Sequence, residues 1–151
     1  MSHIAEVNLL VQDLNALARA AQRLGLELVR HQETYRWYGV SMRDDPLPTG
    51  FAKEDLGKGE HAIRIPGDQR AYEIGIVTQR DGKPGYALLW DCYQGGFGLV
   101  EHVGEQAERL RQRYALEVTL GAIEQMNHCV IEQTHLADGS IELLLAPQGA
   151  S

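Results

Sequence analysis

The feature that most constrains the fold is a pair of alternating apolar segments joined by one tight turn. Residues 72–79 and 86–92 each place apolar side chains at every second position, which is the period of a strand buried on one face. Between them lies Asp81-Gly82, and glycine accepts the positive φ that a tight reversal requires. The two segments therefore predict a β-hairpin and, with it, an antiparallel sheet.

The remaining apolar patterns predict more strands and two helices. Additional strands are expected at residues 3–11, 26–35, 61–65, 129–135 and 141–145. The first helix has Asp13 as its N-cap and ends at Gly25, and the second, longer helix carries an apolar stripe that includes Leu110, Tyr114 and Val118. We expect these three side chains to be buried against the sheet.

The order β-α-β-β-β-β-α-β-β predicts an α+β fold of ferredoxin-like character. Its mainly antiparallel sheet should have five to seven strands and carry two helices on one face. Residues 1–151 are expected to form a single domain, a common length for one. A long loop rich in proline and glycine is expected at 39–60, and loops of this length are usually functional or partly disordered.

Charge and cysteine content narrow the class of protein. Acidic residues outnumber basic residues 21 to 14, giving a formal net charge of −7, and no run of Lys or Arg is present. This pattern disfavours nucleic-acid binding, which depends on basic contacts to phosphates. Two cysteines without a C-x-x-C pair, no leader-like start and no long apolar stretch predict a cytoplasmic protein that does not enter a membrane.

Several short motifs recur in the same order in one known family. They are Met1-Ser2-His3-Ile4, Trp37-Tyr38-Gly39, Tyr72-Glu73-Ile74-Gly75, Gln112-Arg113-Tyr114-Ala115 and Asp138-Gly139-Ser140-Ile141-Glu142-Leu143. The chain resembles the hypothetical chloroplast open reading frame 35 family, also called domain of unknown function 1257, whose members occur in cyanobacteria, red-algal plastids and tailed phages. The insertion at 39–59 is more similar to phage-borne members. The resemblance implies a fold and a compartment, and it implies no catalytic residue.

Residue types suited to catalysis are present in patterns that do not favour it. Cys92 precedes the glycine-rich segment 95–98, but Asp91 beside it would raise its pKa, and no spacing identifies a partner base. The glycine-rich segment lacks the complete phosphate-loop patterns. We therefore expect no catalytic residue.

A metal site is also disfavoured. His128, Cys129, Glu132 and His135 lie in one short segment, but side chains alternate along a strand, so these four would divide between its two faces. We expect no metal and no cofactor.

Aromatic residues are the most suggestive group, because they gather on or beside predicted strands: Tyr35, Trp37, Tyr38, Tyr72, Tyr86, Trp90 and Tyr93. If some share the helix-free face of the sheet, they form a stacking platform or a protein-docking patch. Otherwise they pack beneath the helices or under the long loop. With the loop included, the candidate binding residues are Trp37, Tyr38, Arg43, Phe51, Lys58 and Trp90.

Three hypotheses about function remain open at this point. The first is a non-enzymatic binding or adaptor protein that acts through protein–protein contacts at the sheet face and the 39–59 loop, with a host or defence component as the partner of a phage accessory factor. The second is a small-ligand or nucleotide binder that stacks its ligand on Trp37, Tyr38 and Trp90, with Arg36, Arg43 or Lys58 supplying charge. The third is a hydrolase using Cys92 or the histidines.

The last predicted hairpin also bears on self-association. Ile141, Leu143 and Leu145 provide few charges at what would be a sheet edge, and such edges invite pairing with another chain. We expect a homodimer.

Overall fold

The computed structural model describes residues 4–39, 47–48, 50–80 and 82–148. Within them the chain forms, in order, β1 (Ile4–Val11), α1 (Leu14–Arg23), β2 (Glu27–Arg30), β3 (His61–Arg64), β4 (Ile74–Thr78), β5 (Tyr86–Asp91), α2 (Leu99–Val103), α3 (Glu108–Gln125), β6 (His128–His135) and β7 (Ile141–Pro147). The strands and the two longer helices follow the predicted order, and the short helix α2 is added to it. None of the helices in the described ranges is both long enough and apolar enough to span a bilayer.

Strands β1 to β5 form one antiparallel sheet in the spatial order β1-β5-β4-β3-β2. Strands β2 to β5 are thus a meander, and β1 is added beside β5 at the far edge. Helix α1 joins the two edge strands across the three strands between them, which is a split β-α-β connection of the ferredoxin-like kind. The predicted α+β class, with a mainly antiparallel sheet, is confirmed.

The larger core lies between the sheet and its helices. Ile74 and Ile76 of β4, with Leu88 and Trp90 of β5, point into it, as the period of two along these strands predicts. Helix α3 is tied to the start of α1 by Tyr114, whose hydroxyl accepts hydrogen bonds from two backbone amides of the segment before α1, both at 3.1 Å.

The opposite face of the sheet is covered by the connection between β2 and β3. Tyr35 and Phe51 of this connection pack on Val77 and Leu89 of the sheet. A Cβ at Gly75 of β4 would lie 2.3 Å from two carbons of the Tyr35 ring, so the absence of a side chain there is what admits the ring. The connection therefore builds a second core around Tyr35 and Phe51.

Two expectations about local structure were wrong. Strand β2 ends at Arg30, well short of residue 35, because His31 has a φ of 64° and leaves the extended conformation. Val118 is 37% exposed, although Leu110 and Tyr114 are buried as predicted. One turn after Tyr114, the inward position of α3 is occupied by Glu117, which forms an ion pair with α1.

Strands β6 and β7 form a separate two-stranded sheet. A bulge at Ile131 interrupts their register, since Val130 pairs with Leu145 and Glu132 pairs with Leu144. The hairpin turn is attached to α3 by a hydrogen bond from the Gln112 side chain to the Gly139 carbonyl. The final hairpin is thus an appendage on α3 and does not extend the main sheet.

Candidate functional site

The first candidate surface lies where the long loop leaves the sheet. The buried carboxylate of Glu73 accepts a hydrogen bond from the Arg36 amide at 2.7 Å, and the buried carboxylate of Asp91 accepts one from the Tyr38 amide at 3.0 Å. The Arg36 guanidinium in turn donates to the Ala71 carbonyl at 2.5 Å. Two buried acids therefore fix the segment that presents Trp37 and Tyr38.

Four aromatic rings meet beside this segment, and we call them the aromatic corner: Tyr38, Tyr72, Tyr93 and Phe97. Their ring centroids lie 5.4 Å apart for Tyr38 and Tyr93, 6.4 Å for Tyr93 and Phe97, and 5.1 Å for Tyr72 and Phe97, each pair in an edge-to-face arrangement. Tyr38 and Phe97 are 42% and 44% exposed. Burial raises the pKa of Tyr72, and the negative charge of Asp91 raises it further, so its phenol stays protonated.

The aromatic corner depends on an uncommon turn in the glycine-rich segment after β5. Gln94, Gly95, Gly96 and Phe97 all have left-handed backbone conformations, with φ between 53° and 65°. Side chains disfavour this region, so glycine at two of the four positions lowers the cost of the turn. The Gly96 carbonyl accepts a hydrogen bond from the Tyr72 amide at 2.9 Å, which places Phe97 against Tyr72.

The predicted binding residues do not assemble into one site. Trp37 is half-buried on the loop-covered face and would collide with a side chain at Gly57, whereas Trp90 is 3% exposed and lies in the core beneath the helices. The sheet separates the two indoles, so they cannot stack on one ligand. The platform on a helix-free face is therefore not formed, because the loop covers that face.

The other predicted binding residues divide between core and surface. Phe51 is buried under the Arg80 guanidinium, whose carbon lies 4.9 Å from the ring centre, and Lys58 is exposed. Arg43 lies outside the described residues. Of the predicted set, Tyr38 and Lys58 thus present exposed side chains.

The described geometry offers little support for a thiol nucleophile. Cys92 is half-buried after β5, and burial raises the pKa of its thiol, to which the charge of Asp91 adds. Because the thiolate is the reactive form, both effects work against nucleophilic attack.

The four residues that the sequence analysis considered as metal ligands all lie on β6: His128, Cys129, Glu132 and His135. In the part of the chain that the structure describes, no three His, Cys, Asp or Glu side chains are grouped so that they could hold a metal ion.

The second candidate surface was only partly foreseen. Of the nine large hydrophobic residues that the described ranges expose, five lie on or just before the final hairpin, and we call them the hairpin surface: Met126, Ile131, Leu136, Leu144 and Leu145. The sequence indicated a strand here, but alternation alone could not show that the hairpin leaves the sheet. Ile131 in particular is exposed at the bulge, which shifts the alternation of β6.

Comparison with known proteins places the chain in one family. No curated protein and no solved structure matches it. A family model described as "Protein of unknown function (DUF1257)" matches residues 20–144, from within α1 to within β7. These residues hold the aromatic corner, the hairpin surface except for Leu145, and most of the chain. The chain therefore belongs to the family of proteins of unknown function called DUF1257.

Proposed function

We propose that this protein is a non-enzymatic binding module that docks on another protein through the hairpin surface. The observation that carries the proposal is the concentration of exposed apolar side chains there, where Ile131 is 60% and Leu144 is 52% exposed. Grouped exposed apolar side chains are typical of interaction sites, whereas single ones are ordinary.

The construction of the hairpin supports the same proposal. An isolated two-stranded hairpin is at best marginally stable in water, and this one lies apart from the main sheet. Helix α3 contacts β6 and holds the hairpin turn through the Gln112 side chain. A partner on the side away from α3 would bury Leu144, whose side chain alternates with those of Ile141 and Leu143 along β7.

Affinity capture with matched variants tests this function. The tagged protein, the double variant Ile131→Ser/Leu144→Ser and the control Leu10→Ser would each be used to capture proteins from the native host for mass spectrometry. Leu10 is a suitable control because its exposed fraction, 51%, nearly equals that of Leu144, whereas it belongs to β1 and not to the hairpin. We expect one macromolecule to co-elute with the wild type and the control and to be lost with the double variant.

The opposite result would overturn the proposal. Capture of the same protein by the double variant and the wild type would show that the hairpin surface is not the docking site. Thermal unfolding of each variant, measured beforehand, separates lost docking from lost folding.

The resemblance to phage-borne members leads us to propose that the partner is a host protein. We propose that the two proteins bind each other in the cytoplasm.

We also propose that the outer edge of β7 pairs with the same edge of a second copy. Between Ile141 and Ala146 this strand carries Glu142 as its one charged residue, and a strand edge with few charges is open to pairing. The edge and the outward side chains are different parts of the hairpin, so self-pairing and partner docking are compatible.

A further inference from the structure

A cavity of about 550 Å³ lies at the free edge of the main sheet. It is bounded by β1, by the segment after β5 and by the connection between α2 and α3. Its volume falls within the usual range of sites for small molecules, about 300–1,000 Å³. Its lining includes Trp90 and Cys92, which the sequence analysis named as a candidate stacking residue and a candidate nucleophile.

The inner walls of the cavity are apolar. Val7, Trp90 and Val100 line it together with Cys92, and the raised pKa of the Cys92 thiol keeps that side chain neutral. A neutral cysteine behaves as a small hydrophobe. These walls fit the hydrocarbon or aromatic body of a ligand.

Three charged side chains lie at the cavity, the cation Arg111 and the carboxylates Glu6 and Glu105. Arg111 of α3 is half-buried, and its Nε is shielded from solvent with no hydrogen-bond acceptor among the described residues. Glu6 and Glu105 are exposed at the rim. Within the described ranges none of these three side chains forms an ion pair. A shielded donor without an acceptor is costly, and a bound carboxylate would remove that cost.

We propose that this cavity binds a small zwitterion with an apolar body, of the class of apolar α-amino acids and their dipeptides. The ligand carboxylate would accept hydrogen bonds from Arg111, and its ammonium would be attracted to Glu105. Its side chains would pack against Trp90 and Val100. A simple anion would leave Glu6 and Glu105 unmatched, and a simple cation would leave Arg111 unmatched.

Three probes with the same ring and different charges test the ligand class. L-phenylalanine is the zwitterion, N-acetyl-L-phenylalanine lacks the ammonium, and L-phenylalanine methyl ester lacks the carboxylate; the dipeptide L-leucyl-L-phenylalanine extends the series. We expect the zwitterions to raise the melting temperature of the full-length protein by about 5–10 °C at a hundredfold excess over the dissociation constant. The two blocked compounds should raise it far less.

Substitutions test whether Arg111 is the residue that binds the ligand carboxylate. Arg111→Gln should weaken zwitterion binding about tenfold or more in calorimetric titration, because it removes a charge-assisted contact. Arg70→Gln, which neutralises an exposed arginine outside the cavity lining, is the matched control and should bind as the wild type does.

Three results would overturn the proposal. They are no response to either zwitterion at millimolar concentration, equal responses to all four probes, and wild-type affinity in Arg111→Gln. Because Arg111→Gln removes a cation that forms no ion pair among the described residues, we expect the variant to fold, and circular dichroism would check this. None of these results depends on the hairpin surface, so failure here leaves the proposed docking function untouched.

Discussion

His61 is a buried histidine that the fold holds in its neutral form. Its Nδ1 accepts a hydrogen bond from the His31 amide at 2.9 Å, and its ring lies 5.3 Å from the His31 ring and 5.7 Å from Tyr86. Burial lowers the pKa of His61, and the charges of His31 and Arg30 lower it further, while Glu60 acts in the opposite direction. Protonation at Nδ1 would destroy its ability to accept the hydrogen bond.

This arrangement makes stability depend on pH in a defined direction. Since the folded pKa lies below the unfolded value of about 6.5, the unfolded chain binds the proton first as the pH falls. The free energy of unfolding should therefore decrease as the pH drops from above 6.5 toward the folded pKa, and the contribution should level off below it. We expect urea unfolding of the wild type between pH 7.5 and 5 to show this loss.

The variant His61→Asn isolates the effect. Its side-chain oxygen can accept the same hydrogen bond from the His31 amide, but it does not titrate. We expect the variant to lose less stability than the wild type over this pH range. Parallel pH profiles for the two proteins would mean that His61 is not the group responsible.

Residues also show where sequence patterns cease to be informative. The apolar stripe of α3 correctly predicted Leu110 and Tyr114 as buried, but hydrophobicity cannot identify Glu117 as the next inward position. Glu117 is 4% exposed because Arg19, Arg23 and Arg113 surround it at 3.3–3.6 Å. The burial of this carboxylate depends on two arginines of α1, which come close to Glu117 only when the chain is folded.

Among the elements, β4 depends on one missing side chain. Gly75 lies in a strand where glycine lowers stability by itself, yet the Tyr35 ring occupies the space that a Cβ would need. This close approach gives a physical reason for the glycine in the Tyr72-Glu73-Ile74-Gly75 segment. It also ties the long loop to the sheet.

Gly75→Ala should therefore loosen the loop from the sheet. A Cβ 2.3 Å from the ring forces Tyr35 to move, and overpacking of this kind costs roughly 1–3 kcal/mol. We expect that loss in the free energy of unfolding, measured by urea titration, together with a change in near-ultraviolet circular dichroism from the displaced tyrosine.

The chain provides a matched control for this substitution on a helix. Gly121 of α3 has open space at its Cβ position, with the nearest atom, from Arg19, at 3.9 Å. Gly121→Ala should be neutral or stabilise the protein by up to about 1 kcal/mol through helix propensity. Equal effects of the two substitutions would refute the role assigned to the Tyr35 contact.

The order of the strands and helices was predictable from the sequence, but which of these segments pack against each other was less predictable. Alternation in β4 and β5, with the turn between them, indicated the central hairpin and showed that Leu88 and Trp90 share one face, but it did not show that this face is the core face. The same pattern could not show that the loop returns to cover the second face. Tyr35 and Phe51 reach that face through long-range packing, which leaves no period in the sequence.

At the scale of the whole molecule, the proposed pairing of β7 edges predicts a dimer. Light scattering should give a mass near twice 16.8 kDa at high micromolar concentration. Leu143→Pro would remove one edge amide from pairing and should give the monomer mass if the edge is the interface, whereas Leu10→Ser should remain dimeric. A mass of 16.8 kDa for the wild type at high concentration would reject the dimer.

The strand order has a consequence for how the molecule assembles. Strands β2 to β5 can pair with their neighbours as they are synthesised, but β1 must wait for β5, because Ile4 pairs with Asp91. Closing so long a loop has to precede the contacts that reward it. We therefore expect β1 to be synthesised first but to pair with β5 late in folding. Its contacts should be largely absent from the folding transition state. The cavity at this edge would then exist only in chains in which β1 has paired with β5. A ligand that binds there would therefore stabilise only the fully folded chains.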